Sequence, residues 1–317
     1  MHRLVLVTGA TGYVGGRLVP PIVSCGYGVR CLVRKPEQAR NQLAPSVEIV
    51  AGDLLDRDSA MSAMRGVDTA FYLVHALRAG GDIWRDEITA ADNFARAAKQ
   101  AGVRRIIFLG GLGDALGHPE HLSPHLATRQ AVGRILRESG VQTLEFRASI
   151  IIGSGSMSFE MIRTLVDRLP VMVTPLWVNR LAQPIGIEDV ISYLVAAIEV
   201  LIHESAVLEI GGSDRGSYRD LMREYARQRG LHRLMIPVPF LSPRLSGLWL
   251  SIVTPLRARV GRRLLEGVRT DTVVNDDHAR VLFPEIHPRD YREAIRRALS
   301  NEDREAAGPS IMPRAAA

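Results

Sequence analysis

MHRLVLVTGATGYVGGR, residues 1–17, decides the fold. Residues 4–7 form a short apolar run rich in β-branched side chains, the pattern of a buried parallel strand. The run leads into Thr8 and then into Gly9, Gly12 and Gly15, spaced G-x-x-G-x-x-G. A glycine turn between a strand and a helix lets the main chain approach a pyrophosphate. The helix N-terminus then adds free N–H groups and its positive dipole end. Gly9, Thr11, Gly12, Tyr13, Val14 and Gly15 are therefore the expected dinucleotide cradle. A glycine turn that serves packing alone is the alternative, and the remainder of the N-terminal half speaks against it.

A nucleotide fold continues with a second strand and a residue that reads the ribose. Gly28–Val33 supplies the strand, and Arg34 and Lys35 follow it. In NAD-preferring folds an acid about 20 residues past the glycines holds the ribose 2′-hydroxyl, whereas a basic residue suits the NADP 2′-phosphate. No acid stands at this strand end. Arg34 offers a planar fork and Lys35 a second charge, so NADP(H) is expected in preference to NAD(H). Strands are expected at 47–51, 69–74, 105–109 and 141–148, with helices at 59–65, 83–101 and 122–139. Alternation of this kind implies right-handed crossovers, hence a Rossmann-type doubly wound parallel sheet. Ligands bind such sheets at the carboxyl ends of the strands. Asp53, Leu54, His75, Gly110, Gly111 and Ser149 fall there.

At this point the chain resembles the short-chain dehydrogenase/reductase superfamily, in its atypical branch of NmrA-like, NAD(P)-binding proteins. The resemblance rests on VTGATGYVGG at 7–16, GDLLD at 52–56, and the stretch from LGGLGD at 109–114 to SPHLATR at 123–129. RASIIIGSGS from 147, QPIGIEDV from 183 and EIGG from 209 extend it to about residue 299. Within that branch the chain looks similar to bacterial proteins of the YbjT type. Those resemble an accessory subunit of respiratory complex I and proteins implicated in quinone biosynthesis. The resemblance implies that Asp53 and Leu54 flank the adenine and that Leu73, Val74 and His75 line the middle of the cofactor.

Catalytic members of the superfamily carry Tyr-x-x-x-Lys on the helix after the fifth strand, and a Ser or Thr at that strand's end. Tyr and Lys four residues apart share a helix face, so the Lys lowers the Tyr pKa while the Tyr moves the proton. Here the matching pair is His125 and Arg129, with Gly110 or Gly111 in place of the hydroxyl. An imidazole still transfers protons near neutral pH, with an ordinary pKa of about 6.5. Arg129 could hold a ribose or phosphate oxygen, and Ser123 or Asp114 could replace the missing orienting group. The alternative places His125 at the first turn of a helix behind Pro124, facing solvent.

Two functions follow. One is a reductase acting on a quinone-, flavin- or enone-like acceptor, which needs no Tyr-type acid. The other is a non-catalytic NADP(H)-binding redox sensor or assembly factor that reports to a protein partner. Nucleic acid is not expected: 40 Lys+Arg stand against 34 Asp+Glu, a modest excess with no helix-turn-helix, finger or aromatic platform. Beyond residue 153 the pattern loosens. The expected division is 1–153, with a returning segment at about 184–212, as the cofactor domain. A smaller, discontinuous substrate or partner domain takes 154–183 and 213–300, and 301–317 forms a loose tail. A helix is expected at 187–201. Pro20 and Pro21 should shorten or kink the first helix.

In the stretch 237–269, apolar residues around Trp249 are followed by Arg257, Arg259, Arg262, Arg263 and Arg269. Internal packing and a peripheral membrane contact through 240–269 both suit it, but its prolines leave it short of a span. At 317 residues and 46% hydrophobic composition, the chain has ample core for two intergrown units. No apolar leader precedes the first strand, so a cytoplasmic location is expected. In a reducing cytosol Cys25 and Cys31 would stay unpaired. The histidines, including His118, His121 and His125, lack metal-ligand spacing, so no metal is expected.

Overall fold

The computed structural model describes residues 3–75, 83–113, 123–238 and 271–306. Asp114, His118, His121, the stretch 239–270 and the end of the chain from 307 lie outside the described residues. So does the question of a membrane contact there. Among the described residues no helix is long and apolar enough to cross a membrane.

β1 (Leu4–Thr8) is an interior strand of a seven-stranded sheet. Its Val5 and Val7 face one core and its Leu6 the other, the period-two alternation of a strand buried on both sides. The remaining strands of this sheet are β2 (Gly28–Val33), β3 (Glu48–Ala51), β4 (Val67–Tyr72), β5 (Arg105–Gly111), β6 (Gln142–Ala148) and β11 (Ala206–Ile210). All pairs are parallel, in the order β11-β6-β5-β4-β1-β2-β3. The order reverses between β1 and β4, and the crevice outside that reversal is where doubly wound sheets bind ligands.

Helices cover both faces. α1 (Tyr13–Ser24) and α7 (Ile187–Ala196) pack on one side through Leu18, Val19, Ile22, Val190, Ile191 and Leu194. α3 (Arg57–Ala63), α4 (Ile83–Gln100) and α5 (Pro124–Arg137) cover the other through Ala60, Ala91, Phe94, Val132 and Leu136. α2 (Pro36–Arg40) is a short turn after β2. A second core gathers α6 (Met157–Arg168), α8 (Tyr218–Gln228) and α10 (Tyr291–Ala306), together with β8 (Val171–Pro175) and β13 (Leu234–Val238). Phe159, Ile162, Leu221, Tyr225 and Ile295 form its centre. The short strands β7 (Ile151–Ile152) and β10 (Ile185–Gly186) pair with each other at the junction; β9 (Leu181–Ala182) pairs with β12 (Gly216–Ser217).

Four expectations need correction. α1 runs unbroken through Pro20 and Pro21 to Ser24, because Leu18, Val19 and Ile22 on its inner face are fully packed and outweigh two missing helix bonds. The helix expected over 187–201 stops at Ala196. Arg105 Nη1 donates to the Ala197 carbonyl at 2.6 Å and Arg104 Nη2 to that of Ile198 at 3.0 Å, so guanidinium groups take up carbonyls at the helix end. The stretch 213–300 does not all belong to the second unit. α9 (His278–Leu282) and Phe283 pack into the first core, where the Phe283 ring meets Phe146 at 5.9 Å and Tyr193 at 5.6 Å. Lastly, α10 continues to Ala306, through residues 301–306 of the expected tail. Cys25 and Cys31 are both free thiols, and burial pushes the Cys31 thiol up to about 12.

Candidate functional site

In the glycine turn each glycine has its own reason. Gly9 sits at φ 74°, and a Cβ there would lie 2.7 Å from the Leu73 carbonyl oxygen. A Cβ on Gly15 would fall on the Gly9 carbonyl oxygen, so this glycine lets α1 pack against the turn. Gly12 is different. It is exposed, and its Cβ would meet nothing within 4 Å except the Gly9 oxygen at 3.1 Å. As N-cap of α1 it brings no side-chain acceptor, and the first turn of the helix holds no acid. The helix end is therefore left for an external anion, and a dinucleotide pyrophosphate fits that donor set. Thr11 is exposed beside it; Tyr13 and Val14 are half-buried. Arg17 lies over the Tyr13 ring at 4.2 Å and donates to the Ser154 carbonyl at 2.7 Å, which pins this face of α1 to the loop after β7.

Around the sheet end, Arg34 and Lys35 are exposed where β2 stops, and Pro36 opens α2. After β3, Asp53 Oδ1 accepts from the Leu55 N–H at 3.1 Å, while the Leu54 side chain is buried in the core, so only its main chain is available to a ligand. Asn93 on α4 fixes this loop by donating to the Leu54 and Leu55 carbonyls at 2.9 and 3.2 Å.

His75, Glu87, His125 and Arg129 converge at the carboxyl ends of β4 and β5. Thr8 at the end of β1 ties the start of this region down: its hydroxyl donates to the Phe71 carbonyl at 2.8 Å and accepts from the Leu73 N–H at 3.3 Å. Two residues on, His75 Nδ1 contacts the Glu87 carboxylate of α4, and its ring stacks on His125 at 4.8 Å and 17°. Arg129 is buried over the Phe108 ring, 4.7 Å from its centre. Its Nη1 donates to the Val74 carbonyl at 3.2 Å and its Nη2 to that of Leu109 at 2.6 Å. Arg129 thus clamps the ends of β4 and β5 together. Burial holds its pKa below the ordinary arginine value, with Glu87 and Tyr72 opposing. For Glu87, burial raises the pKa, but the His75 hydrogen bond and the charges of His75, Arg129 and His125 outweigh it. The net result lies below the usual 4.5, and the carboxylate is ionised.

The hydroxyl position at the end of β5 is closed. Gly110 and Gly111 lie within β5, paired with Arg147 and Ala148 of β6. A Cβ on Gly111 would stand 2.8 Å from Leu126 Cδ2, so a Ser cannot be placed there without displacing that leucine. Ser123, weighed as a replacement, is the N-cap of α5, its Oγ accepting from the Leu126 N–H at 3.3 Å. Ser149, just past β6, shares a 2.6 Å hydrogen bond with Thr272. The fold therefore brings His75, His125 and Arg129 into one cluster, and the glycine turn reaches its base where Gly9 meets Leu73. Ser149 is engaged with the C-terminal segment instead.

Glu87, Asn93 and Thr272 were not singled out by sequence reasoning. For Glu87 a signal existed: it lies in the same helical stripe as Ala90, Ala91 and Phe94, and a lone acid on a buried face requires a partner.

The model of the NmrA-like family matches residues 1–168. A 3 beta-hydroxysteroid dehydrogenase/Delta 5-->4-isomerase of Mycobacterium tuberculosis is 30% identical over 36% of this chain, and the chain spans only 33% of that enzyme's length. A (4-alkanoyl-5-oxo-2,5-dihydrofuran-3-yl)methyl phosphate reductase of Streptomyces griseus is 28% identical over 72% of this chain and 74% of its own. Among solved structures, an NADPH-dependent quinone oxidoreductase of Escherichia coli, in complex with NADPH, superposes with a TM-score of 0.73. It is 18% identical over 93% of this chain and 99% of that one, a likeness of fold.

Proposed function

The chain belongs to the NmrA-like family, and we propose that it is an NADP(H)-dependent reductase of a planar quinone-, flavin- or enone-like acceptor. The observation that carries this reading is the union of an intact, open helix N-terminus at Gly12 with a proton-handling cluster at the neighbouring strand ends. Gly9, Gly12 and the first turn of α1 would hold the pyrophosphate, and Arg34 with Lys35 the 2′-phosphate. Leu73, Val74 and His75 would line the middle of the cofactor. When bound, NADPH supplies a hydride. An acceptor of this class needs only one proton besides, and the stacked histidines are placed to give it. No hydroxyl is available at Gly111 to orient a simple ketone, which favours acceptors that accept a hydride without such help.

The sensor or assembly reading draws on Arg129, whose Nη donors are committed to main-chain carbonyls and so contribute strand-end architecture. Calorimetric titration with NADPH and NADH, followed by a screen of quinones, flavins and enones under steady-state conditions, separates the two. Tight NADPH binding with turnover of a quinone-like acceptor supports the reductase. Binding without turnover of any acceptor supports the sensor.

A further inference from the structure

We propose that Glu87 and His75 form a carboxylate–imidazole couple that carries the proton given to the acceptor, with Glu87 positioning the ring, His75 donating and His125 acting as its stacking wall. The inference rests on the reductase reading and assigns the proton within it. His75 stands two residues past Leu73, whose carbonyl meets Gly9, so the imidazole lies beside the cofactor turn at the point where the strand order reverses.

The Glu87 side chain is 3% exposed and that of His75 29%, so the buried carboxylate communicates with the crevice through the imidazole. Glu87 Oε2 has no hydrogen-bond partner among the described residues, which leaves His75 Nδ1 as the one donor the structure gives this carboxylate. An ionised carboxylate only accepts, so Nδ1 must bring the hydrogen, and Nε2 becomes the working nitrogen. His125 cannot act as a relay from His75. Rings stacked at 17° point their N–H bonds along their own planes, not at each other. Nor can both rings carry charge cheaply at 4.8 Å. Among the described residues, Tyr72 on β4 and Arg129 on α5 also face the couple, and the Arg129 guanidinium reaches the Val74 carbonyl next to His75. The proton is assigned to His75 because its Nδ1 contacts the ionised Glu87 carboxylate.

The step balances simply. The acceptor takes a hydride with its electron pair, the cofactor is oxidised, and the acceptor oxygen takes the proton from His75 Nε2. His75 is left neutral with Nδ1–H still on Glu87, and water reloads Nε2 from the exposed side.

Two measurements on the full chain test this. In nitrogen-15 spectra of histidine-labelled protein at alkaline pH, His75 is expected in the Nδ1–H tautomer, reverting to Nε2–H in Glu87→Leu. In steady-state assays with NADPH and the best quinone, His75→Gln should lose about a hundredfold or more in kcat with NADPH affinity retained. Glu87→Gln keeps an acceptor but not the charge. It should lose roughly tenfold and move the alkaline limb of the rate profile to lower pH, whereas His125→Phe, which keeps a stacked ring, should lose less than about fivefold. An Nε2–H tautomer in the wild type, or a loss in His125→Phe equal to that in His75→Gln, overturns the assignment. Absence of turnover with every acceptor would end the reductase reading and the proton step with it, while the tautomer spectrum would still decide whether the couple exists.

Discussion

Glycines crowd two places at the top of the sheet, the turn after β1 and the end of β5, and they serve opposite purposes. At Gly9 and Gly15 the side chain is missing so that the protein's own backbone can close up, and at Gly12 it is missing on a surface left open. At Gly111 the vacancy is already filled from within by Leu126, and at Gly110 the neighbours are Phe108 and Glu145. The first region keeps space for something outside the chain; the second has given that space to its own side chains. The same residue type therefore accompanies open space in one case and filled space in the other.

The sharpest way to break this contrast lies inside the first region. Gly15→Val should cost about 3 kcal/mol or more of stability by driving a side chain into the Gly9 carbonyl. Gly12→Val should stay folded but lose roughly a hundredfold or more in NADPH affinity, the ~3 kcal/mol of two charge-assisted hydrogen bonds. Chemical denaturation and calorimetry on both variants decide it, and unchanged binding in a folded Gly12→Val would remove the turn from the cofactor site. Next in size is Arg34→Ala, expected to weaken NADPH by ~1.5–3 kcal/mol and leave NADH untouched. Equal affinities for the two cofactors in the wild type would defeat the claim whatever the variant did.

The second region is tested by refilling it. Gly111→Ser alone should destabilise by about 1–2 kcal/mol through contact with Leu126, and Leu126→Ala in the same chain should recover part of that. Strictly additive losses would mean that Leu126 is not what closes the position. The smallest effect concerns pH. Because the folded Glu87 carboxyl lies below its ordinary 4.5, it contributes stability that is complete above that value and fades as pH falls through the folded pKa. Urea unfolding should find Glu87→Gln less stable than wild type at neutral pH, by on the order of 1 kcal/mol, with the gap narrowing below the usual carboxylate range. A gap constant down to strongly acidic pH would contradict the charge assignment.

Much of the fold was readable in the residues because the signals were local. Val5, Val7 and the three glycines specify a strand, a turn and a helix within fifteen residues, and the alternation through Ala148 repeats the pattern. Helix lengths set by distant partners were not readable. Nothing between 187 and 201 announces that Arg104 and Arg105, some ninety positions earlier, take the carbonyls that end α7. The candidate site divides in the same way. The spacing of His125 and Arg129 put them on one helix face, but the role of Arg129 as a clamp depends on the Val74 and Leu109 carbonyls, and the partner of His75 sits on another helix. Leu126 closing Gly111 is equally a property of tertiary packing, invisible in the spacing of the motif residues.

Phe283 gives the molecule a property that its family match conceals. Residues 1–168 carry the match, yet the pocket between Phe146 and Tyr193 is plugged by a ring that arrives more than a hundred positions later, and β11 shields the outer edge of β6. Chain cut after β13 would lose Phe283 and the Thr272 link to Ser149, and the part that looks like a portable module would open at its own core. The first core is therefore completed from the far end of the chain, and residues 1–168 moved alone would leave Phe146 without its Phe283 contact.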